Sequence, residues 1–549
     1  MNTVQILILL TLLLFSIKSL RDTLYFLWLF QVKEYRLDRT KSFIRENVRL
    51  DFSDLMTALG AFAMLGIFFP ATAKFVAVFM ILIAGYLAPL YFLVYAVRFA
   101  KDISRHSLKR PKLTLKMSLI VPIYFVSYVL AIYLMTAKIF AAVLAIYTPD
   151  IFVLFSAYLL LLNLIAPFFI LLAILLITPV TDFQKKRIVK RATEKMASMK
   201  KVRTIGITGS YGKTSTKEFL FAILSQKYKV MKTAGNNNTL MGVANTILRD
   251  VTDDYDFFIC EMGAYKIGEV KEICALAKPF AGILTGINEQ HVDLFGSIEN
   301  TKRAKFELVQ SLPKDGFAVM NGEIENMKPL LGHNVLDAVF IPKDLAKDVK
   351  VNPDFLEFEY EGTVFKVDIM GKHYIENLLA AIILCEKFGM SLEEIQVAVS
   401  KMDLKSDYLM QKAEGPNGAV FIDDTYAANP NGVLAALEYL QDAYPGYKKI
   451  FVFPGIVELG KDSEIIHQKI WRAADDECSL IYVIQRDNLV IHNIPQIKKE
   501  YKKSRFIFNG DFDKISIDLE KHLDEKTVVL FEGRGAGVVM EKLLENKGK

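Results

Sequence analysis

Residues 208–216 read Thr-Gly-Ser-Tyr-Gly-Lys-Thr-Ser-Thr. The four residues before them, Thr204 to Ile207, lean apolar and predict a buried strand, and Lys217 to Ser225 continue as the opening turns of a helix. A glycine-rich turn between strand and helix lets backbone N–H groups approach an anion without Cβ interference, and the helix N-terminus adds its positive dipole end. Lys213 is placed to reach the terminal phosphates of a nucleotide, and the Thr214 hydroxyl to sit on Mg²⁺. The strict spacing G-x-x-x-x-G-K-[ST] needs glycine at 207, where Ile207 stands, so this phosphate loop is a shorter variant. The expected ATP-binding set is Gly209, Ser210, Tyr211, Gly212, Lys213, Thr214 and Ser215.

These residues sit in a chain whose two parts differ in composition. Of 549 residues, 52% are hydrophobic, and the excess lies almost wholly before residue 180. Residues 1–203 hold 26 basic and 10 acidic side chains (+16), and the remainder holds 41 and 51 (−10). A basic apolar part joined to an acidic part argues against nucleic acid as partner of the catalytic part. Cys260, Cys274, Cys385 and Cys478 show no C-x-x-C spacing and are expected as reduced, buried thiols.

Apolar runs near residues 4–30, 54–70, 72–97, 117–147 and 151–179 approach the roughly 20 residues that cross a bilayer, which predicts five spans. Residues 4–17 also resemble a signal-peptide core, but no basic segment precedes them and the apolar pattern continues past Leu24. Basic side chains crowd 32–50, 101–116 and 185–203, whereas the opposing turns offer only Lys74 and Lys138. The positive-inside rule then places the N-terminus outside and everything after residue 203 in the cytoplasm, where ATP is found. The chain is expected to be a multi-pass plasma-membrane protein. The same basic stretches could dock a phosphate-bearing lipid carrier, although topology alone accounts for them.

From Thr204 onward, strand-like runs (Phe257–Cys260, Gly282–Leu284, Ala318–Met320, Ala419–Ile422, Ile450–Phe453, Leu480–Val483, Val528–Phe531) alternate with helical patterns. That alternation predicts α/β units around mainly parallel sheets. Glu261 ends a buried strand, where a carboxylate suits Mg²⁺ held between phosphates.

Taken together, the motifs resemble those of the Mur ligases, which form amides in peptidoglycan precursors at the expense of ATP. Thr208–Thr216 is similar to their phosphate loop. Glu261-Met262-Gly263-Ala264 with Gly268-Glu269, and Ile287-Asn288-Glu289-Gln290-His291 through Ser297, are similar to the second and third motifs. Ala304-Lys305-Phe306-Glu307, Gly371-Lys372-His373 with Asn377, and Asp423–Pro430 with Glu458-Leu459-Gly460 follow in order; Asp423–Pro430 and Glu458–Gly460 look most like the MurF branch. The resemblance implies a P-loop central domain over 204–402 and a Rossmann-like C-terminal domain over 403–549. These follow a helical membrane domain over 1–180 and a basic linker over 181–203. It assigns His291, and Lys305 as a carbamate, to a second Mg²⁺ beside the one on Thr214 and Glu261. Asn377 is assigned to adenine, and Asp424, with Tyr426 and Asn429 in the same motif, to the ribose side. Lys213, Glu261, His291 and Lys305 form the implied catalytic set. The implied reaction is attack of a substrate carboxylate on the γ-phosphate, then displacement of phosphate by an amine.

The pattern breaks on the acceptor side. Membrane spans stand where the family carries a UDP-gripping domain. Thr239 replaces an Asn, Ser406-Asp407-Tyr408 replaces a Gly-Arg pair, Ala427 replaces an Asn, and Glu532-Gly533-Arg534-Gly535 stands where Lys-Gly-Ser-Arg is usual. The expectation is therefore a membrane-anchored ligase. It would join an amino acid or short peptide to a lipid-linked or membrane-proximal envelope precursor. The standard MurF reaction on a UDP-sugar peptide, and a degenerate ATP-binding scaffold, are the alternatives.

Overall fold

The computed structural model describes the chain except residues 1–2, 34, 36–39, 41–70, 105–107, 145–150, 236, 289–291, 323–336, 403, 405–408, 427, 457–458, 460–462, 485–500, 502 and 548–549, and gives backbone alone at 4, 71–85, 135–144, 151, 153–154, 157 and 293. It forms two compact units, 1–185 and 186–549.

The first unit is built from helices α1 (Thr3–Val32), α2 (Ala71–Ser104), α3 (Leu115–Leu144) and the first part of α4 (Ile151–Ser198). Lys18, Arg21 and Asp22, which interrupt the first apolar run, are partnered inside the unit. The Lys18 ammonium meets Asp22 and Asn163, Asn163 Nδ2 donates to Asp22 at 3.1 Å, and Arg21 Nε meets Asp102 at 3.0 Å. Burying charge in an apolar bundle is tolerable only with such pairing. The described residues bear on part of the five expected spans. Among the described residues, two helical segments, Leu115–Leu134 and Tyr158–Ser198, are long and apolar enough to cross a bilayer by length and composition. The run at 54–70 lies outside the described residues.

The expected linker over 181–203 is corrected, since α4 stays helical to Ser198. Apolar residues recur at helical spacing among its lysines, and Ala192 and Met196 are buried against Val243, Ala244 and Ile247. Lys195 Nζ donates to the carbonyls of Ile247 and Leu248 at 2.8 and 3.0 Å, so it satisfies the end of the next helix but one.

In the second unit, β1 (Arg203–Thr208), β2 (Val230–Lys232), β3 (Phe257–Glu261), β4 (Pro279–Leu284), β5 (Phe317–Asn321) and β6 (Asp337–Ile341) form a parallel sheet in the order β2-β3-β1-β4-β5-β6. Side chains alternate faces along each strand. Ile205, Ile207 and Ile259 pack under α5 (Lys213–Leu224). Phe258 and Cys260 pack under α6 (Leu240–Arg249), α7 (Glu269–Ala277) and α8 (Ile298–Gln310). Burial on both faces explains why these strands read as unbroken apolar runs. A three-stranded antiparallel sheet, β7 (Lys347–Val351), β8 (Leu356–Tyr360) and β9 (Thr363–Val367), precedes α9 (Ile375–Lys387) and α10 (Leu392–Ser400).

A second six-stranded sheet runs β10-β11-β15-β12-β13-β14, with β10 (Gln411–Glu414) antiparallel to β11 (Val420–Asp424). The other strands, β12 (Lys448–Phe453), β13 (Leu480–Ile484), β14 (Arg505–Asn509) and β15 (Thr527–Glu532), pair in parallel. Helices α11 (Pro430–Ala443) and α12 (Ser463–Glu477) cover one face, and α13 (Phe512–Glu520) and α14 (Arg534–Lys547) the other. All four cysteines are free and buried, in keeping with the sequence expectation.

Candidate nucleotide site

In the first sheet the strand order reverses at β1, which has β3 on one side and β4 on the other. Ligands of open α/β sheets lie beyond the carboxyl ends of the strands at such a point. There the chain leaves β1 and turns through Gly209 and Gly212, with φ of 154° and 76°, into α5. A Cβ on Gly209 would lie 1.9 Å from Thr285 Oγ1, and one on Gly212 would lie 2.5 Å from Asn377 Oδ1. Bare Cα atoms therefore keep the loop open and bring Asn377 against it. Lys213 Nζ donates to the carbonyls of Gly209 and Ser210 at 2.8 and 2.9 Å. Burial holds this ammonium below the usual lysine range, against the pull of Glu261. Ser215 Oγ donates to Gly212 O at 3.1 Å, within the first turn of the helix.

Glu261, at the end of β3, is almost fully buried and is met from three sides. Thr214 Oγ1 lies 3.2 and 3.1 Å from its two oxygens, Asn238 Nδ2 donates to Oε1 at 2.9 Å, and Lys217 Nζ to Oε2 at 3.1 Å. Lys217 is missing from the sequence expectation. A lysine in the second turn of an exposed-looking helix reads as solvated, and only its spacing of four from Lys213 hinted otherwise.

Lys305, on α8, is buried, with Nζ 3.3 Å from Ala264 O and 5.5 Å from the centre of the Phe295 ring. Burial pushes its ammonium down to about 7; Lys213 adds to the effect, while Glu269 and Glu307 oppose it. Two residues on, Glu307 accepts from Gly268 N at 2.6 Å and Lys271 N at 2.9 Å, capping α7 and tying the second motif to α8. His291 lies outside the described residues. Among the described residues no cluster of three or more His, Cys, Asp or Glu side chains is placed to hold a metal.

The second sheet closes the site from the other side. Asp424, Tyr426, Asn429 and Arg534 share one cavity of about 410 Å³ with Ser210, Tyr211, Gly212, Lys213, Thr214, Ser215, Glu261, Lys305 and Asn377. Gly209 shapes the loop without lining that cavity. Asn429 caps α11 through Gly432 N at 3.0 Å and receives Asn288 Nδ2 at 3.3 Å, so it joins the two sheets as well as facing the cavity. Arg534 Nε donates to Tyr426 O at 3.3 Å. Asp424 pairs in register with Glu532, whose carboxylate is fully buried. Burial pushes Asp424 up to about 6 and drives Glu532 well above the usual carboxylate range, with Asp424 adding to the latter shift. His373 also lines the cavity, and burial lowers it to about 4, so it is a neutral imidazole near pH 7.

A shortened phosphate loop facing a second, Rossmann-like sheet defines a two-lobed nucleotide-binding α/β protein. Residues 207–385 match the Mur ligase middle domain and residues 410–535 the Mur ligase glutamate ligase domain. UDP-N-acetylmuramoyl-tripeptide--D-alanyl-D-alanine ligase of Bacillus subtilis is 30% identical over 334 residues, 60% of this chain and 69% of that enzyme. The enzyme of the same name from Escherichia coli is 32% identical over 289 residues, covering 50% of this chain but only 62% of that enzyme, less than two thirds. The structure of MurF ligase from Thermotoga maritima in complex with ADP superposes with a TM-score of 0.58 at 25% identity, covering 66% of this chain and 84% of that one. The chain belongs to the Mur ligase family.

Proposed function

We propose that this protein is an ATP-dependent amide-forming ligase of the MurF type, joining a dipeptide to a UDP-sugar peptide in peptidoglycan synthesis. The observation that carries the reading is the convergence of Lys213, Thr214, Glu261, Lys305, Asn377 and Asp424 on one cavity at the strand switch point. The names of the two relatives supply the substrate class. They favour the soluble UDP-sugar peptide over the lipid-linked precursor expected from the membrane-like N-terminus. The shared cavity, which keeps Lys213, Thr214, Glu261 and Lys305 together, also weighs against a degenerate scaffold.

The residues fit a magnesium nucleotide. Two glycines leave space that a Cβ would fill, and Thr214 and Glu261 offer hard oxygens. Mg²⁺ ordinarily takes only one or two protein ligands and fills the rest from phosphate and water. When bound, Mg²⁺–ATP supplies the phosphoryl group that activates a substrate carboxylate for attack by an amine. The chain's own part is electrostatic. Lys213 and the backbone amides opening α5 would face the phosphates and offset their charge. Lys305, held near neutrality, presents the free-amine form that CO₂ can carbamylate, which would turn it into an anionic oxygen ligand. The chain is further proposed to sit at the cytoplasmic membrane face. The two apolar helical segments and the basic residues of 185–203 support this.

The test uses full-length protein in detergent with ATP and Mg²⁺, following phosphate release. UDP-N-acetylmuramoyl-tripeptide and D-alanyl-D-alanine together should raise release at least tenfold over either alone, and Lys213→Ala should abolish it. Release that needs a lipid extract in place of the UDP-sugar peptide would overturn the assignment.

A further inference from the structure

Lys217 stands one helical turn beyond Lys213 on α5 and is fully buried. Its ammonium lies 3.1 Å from Glu261 Oε2, 2.6 Å from the carbonyl of Gly235, and 3.7 Å from Glu218 Oε1. The same stretch of chain that supplies the Gly235 carbonyl also supplies Asn238. The Asn238 side-chain amide holds the other Glu261 oxygen at 2.9 Å, and the Asn238 backbone carbonyl accepts from Gly263 N at 2.7 Å. Gly263 has no side chain to interfere: a Cβ there would lie 2.7 Å from Asn238 Oδ1. One carboxylate is thus clamped by a cation from the phosphate-loop helix and an amide from the β2–α6 connection. The cation grips that connection too.

We propose that Lys217 is a positioning residue, tying the Glu261 carboxylate to the Gly235 carbonyl beside Asn238 so that Glu261 is presented to metal in a single orientation. This rests on the reading of the cavity as a Mg²⁺–nucleotide site. Two opposing effects follow from removing the lysine. Loss of a nearby positive charge would strengthen cation binding at Glu261, whereas loss of the fixed orientation would weaken it. Partners that orient metal ligands generally matter by about 10–100-fold in metal affinity, and the three-sided clamp makes orientation the larger effect here.

The experiment titrates Mg²⁺ into full-length protein in detergent at fixed ADP, by calorimetry. Lys217→Gln is expected to raise the half-saturating Mg²⁺ concentration by about tenfold or more. Lys217→Arg, which keeps the charge and donors, should stay within about threefold of the parent. A merely structural lysine would lower the melting temperature and leave the Mg²⁺ requirement unchanged. An unchanged or lower requirement in Lys217→Gln overturns the proposal. Should that variant not fold, hydrogen exchange of the unaltered protein decides. Peptides covering 233–242 and 256–264 should slow together on adding Mg²⁺–ADP but not ADP with chelator, and no slowing at 233–242 overturns it. Unaltered protein that binds no Mg²⁺–ADP overturns the nucleotide reading itself, and this proposal with it.

Discussion

Gly212 carries two demands at once. It holds a left-handed φ of 76° at the N-cap of α5, and its bare Cα lets the Asn377 amide approach to where a Cβ would lie 2.5 Å from Oδ1. Any other residue pays backbone strain of roughly 1–2 kcal/mol there and also pushes Asn377 away. Gly212→Ala is therefore expected to weaken ADP binding by at least about tenfold, since about 1.4 kcal/mol is a factor of ten. It should leave far-ultraviolet circular dichroism unchanged, as the helix beyond the loop is held by its own core contacts. Calorimetric titration of ADP checks this; unaltered affinity would remove the loop from the nucleotide site.

At the level of elements, the parallel register of β11 and β15 sets the half-buried Asp424 beside the buried Glu532, more than a hundred residues apart in the chain. Both are raised in the folded state relative to their free values, Asp424 to about 6. The native state thus holds protons that the unfolded chain gives up, so stability falls as pH rises from the free-carboxylate range past 6. Glu532→Gln keeps the shape, removes one charge and can donate to Asp424. Its melting temperature should match the parent near pH 4 and exceed it at pH 8, by roughly 1–3 kcal/mol of stability. Parallel pH profiles for the two proteins would show that the pair is not coupled. This is also where sequence reading reached its limit. The strand runs were legible because two-sided burial makes them continuously apolar, and the glycine spacing marked the phosphate loop. That Glu532 replaces a usual lysine was legible too, but its neighbour depended on register between distant strands. Lys217 and Lys305 both looked like solvated helix lysines; the motif resemblance flagged Lys305 alone. The antiparallel sheet β7–β9 escaped notice because its first strand is lysine- and aspartate-rich and mostly exposed.

For the molecule as a whole, the division after residue 185 carries a consequence for how the ligase part can be separated. Counting charge alone suggests cutting at the first strand, near residue 203. The structure places the useful boundary earlier, because the end of α4 is part of the second unit's core. Ala192 is fully buried and Met196 nearly so, both against α6. Burial of a methionine contributes about 1.5–3 kcal/mol, and Lys195 satisfies two carbonyls at the end of α6 that would otherwise turn to water. A chain starting at 186 is expected to melt several degrees above one starting at 203 and to bind Mg²⁺–ADP as the full-length protein does. The shorter chain exposes Val243, Ala244 and Ile247 and should aggregate on concentration. Differential scanning calorimetry with light scattering on the two truncations decides the matter. Equal melting temperatures and equal solubility would return 186–198 to the role of a simple tether. The expected difference would instead make the last turns of α4 part of the ligase fold, so that the segment leading in from the apolar helices ends inside the core that carries the phosphate loop.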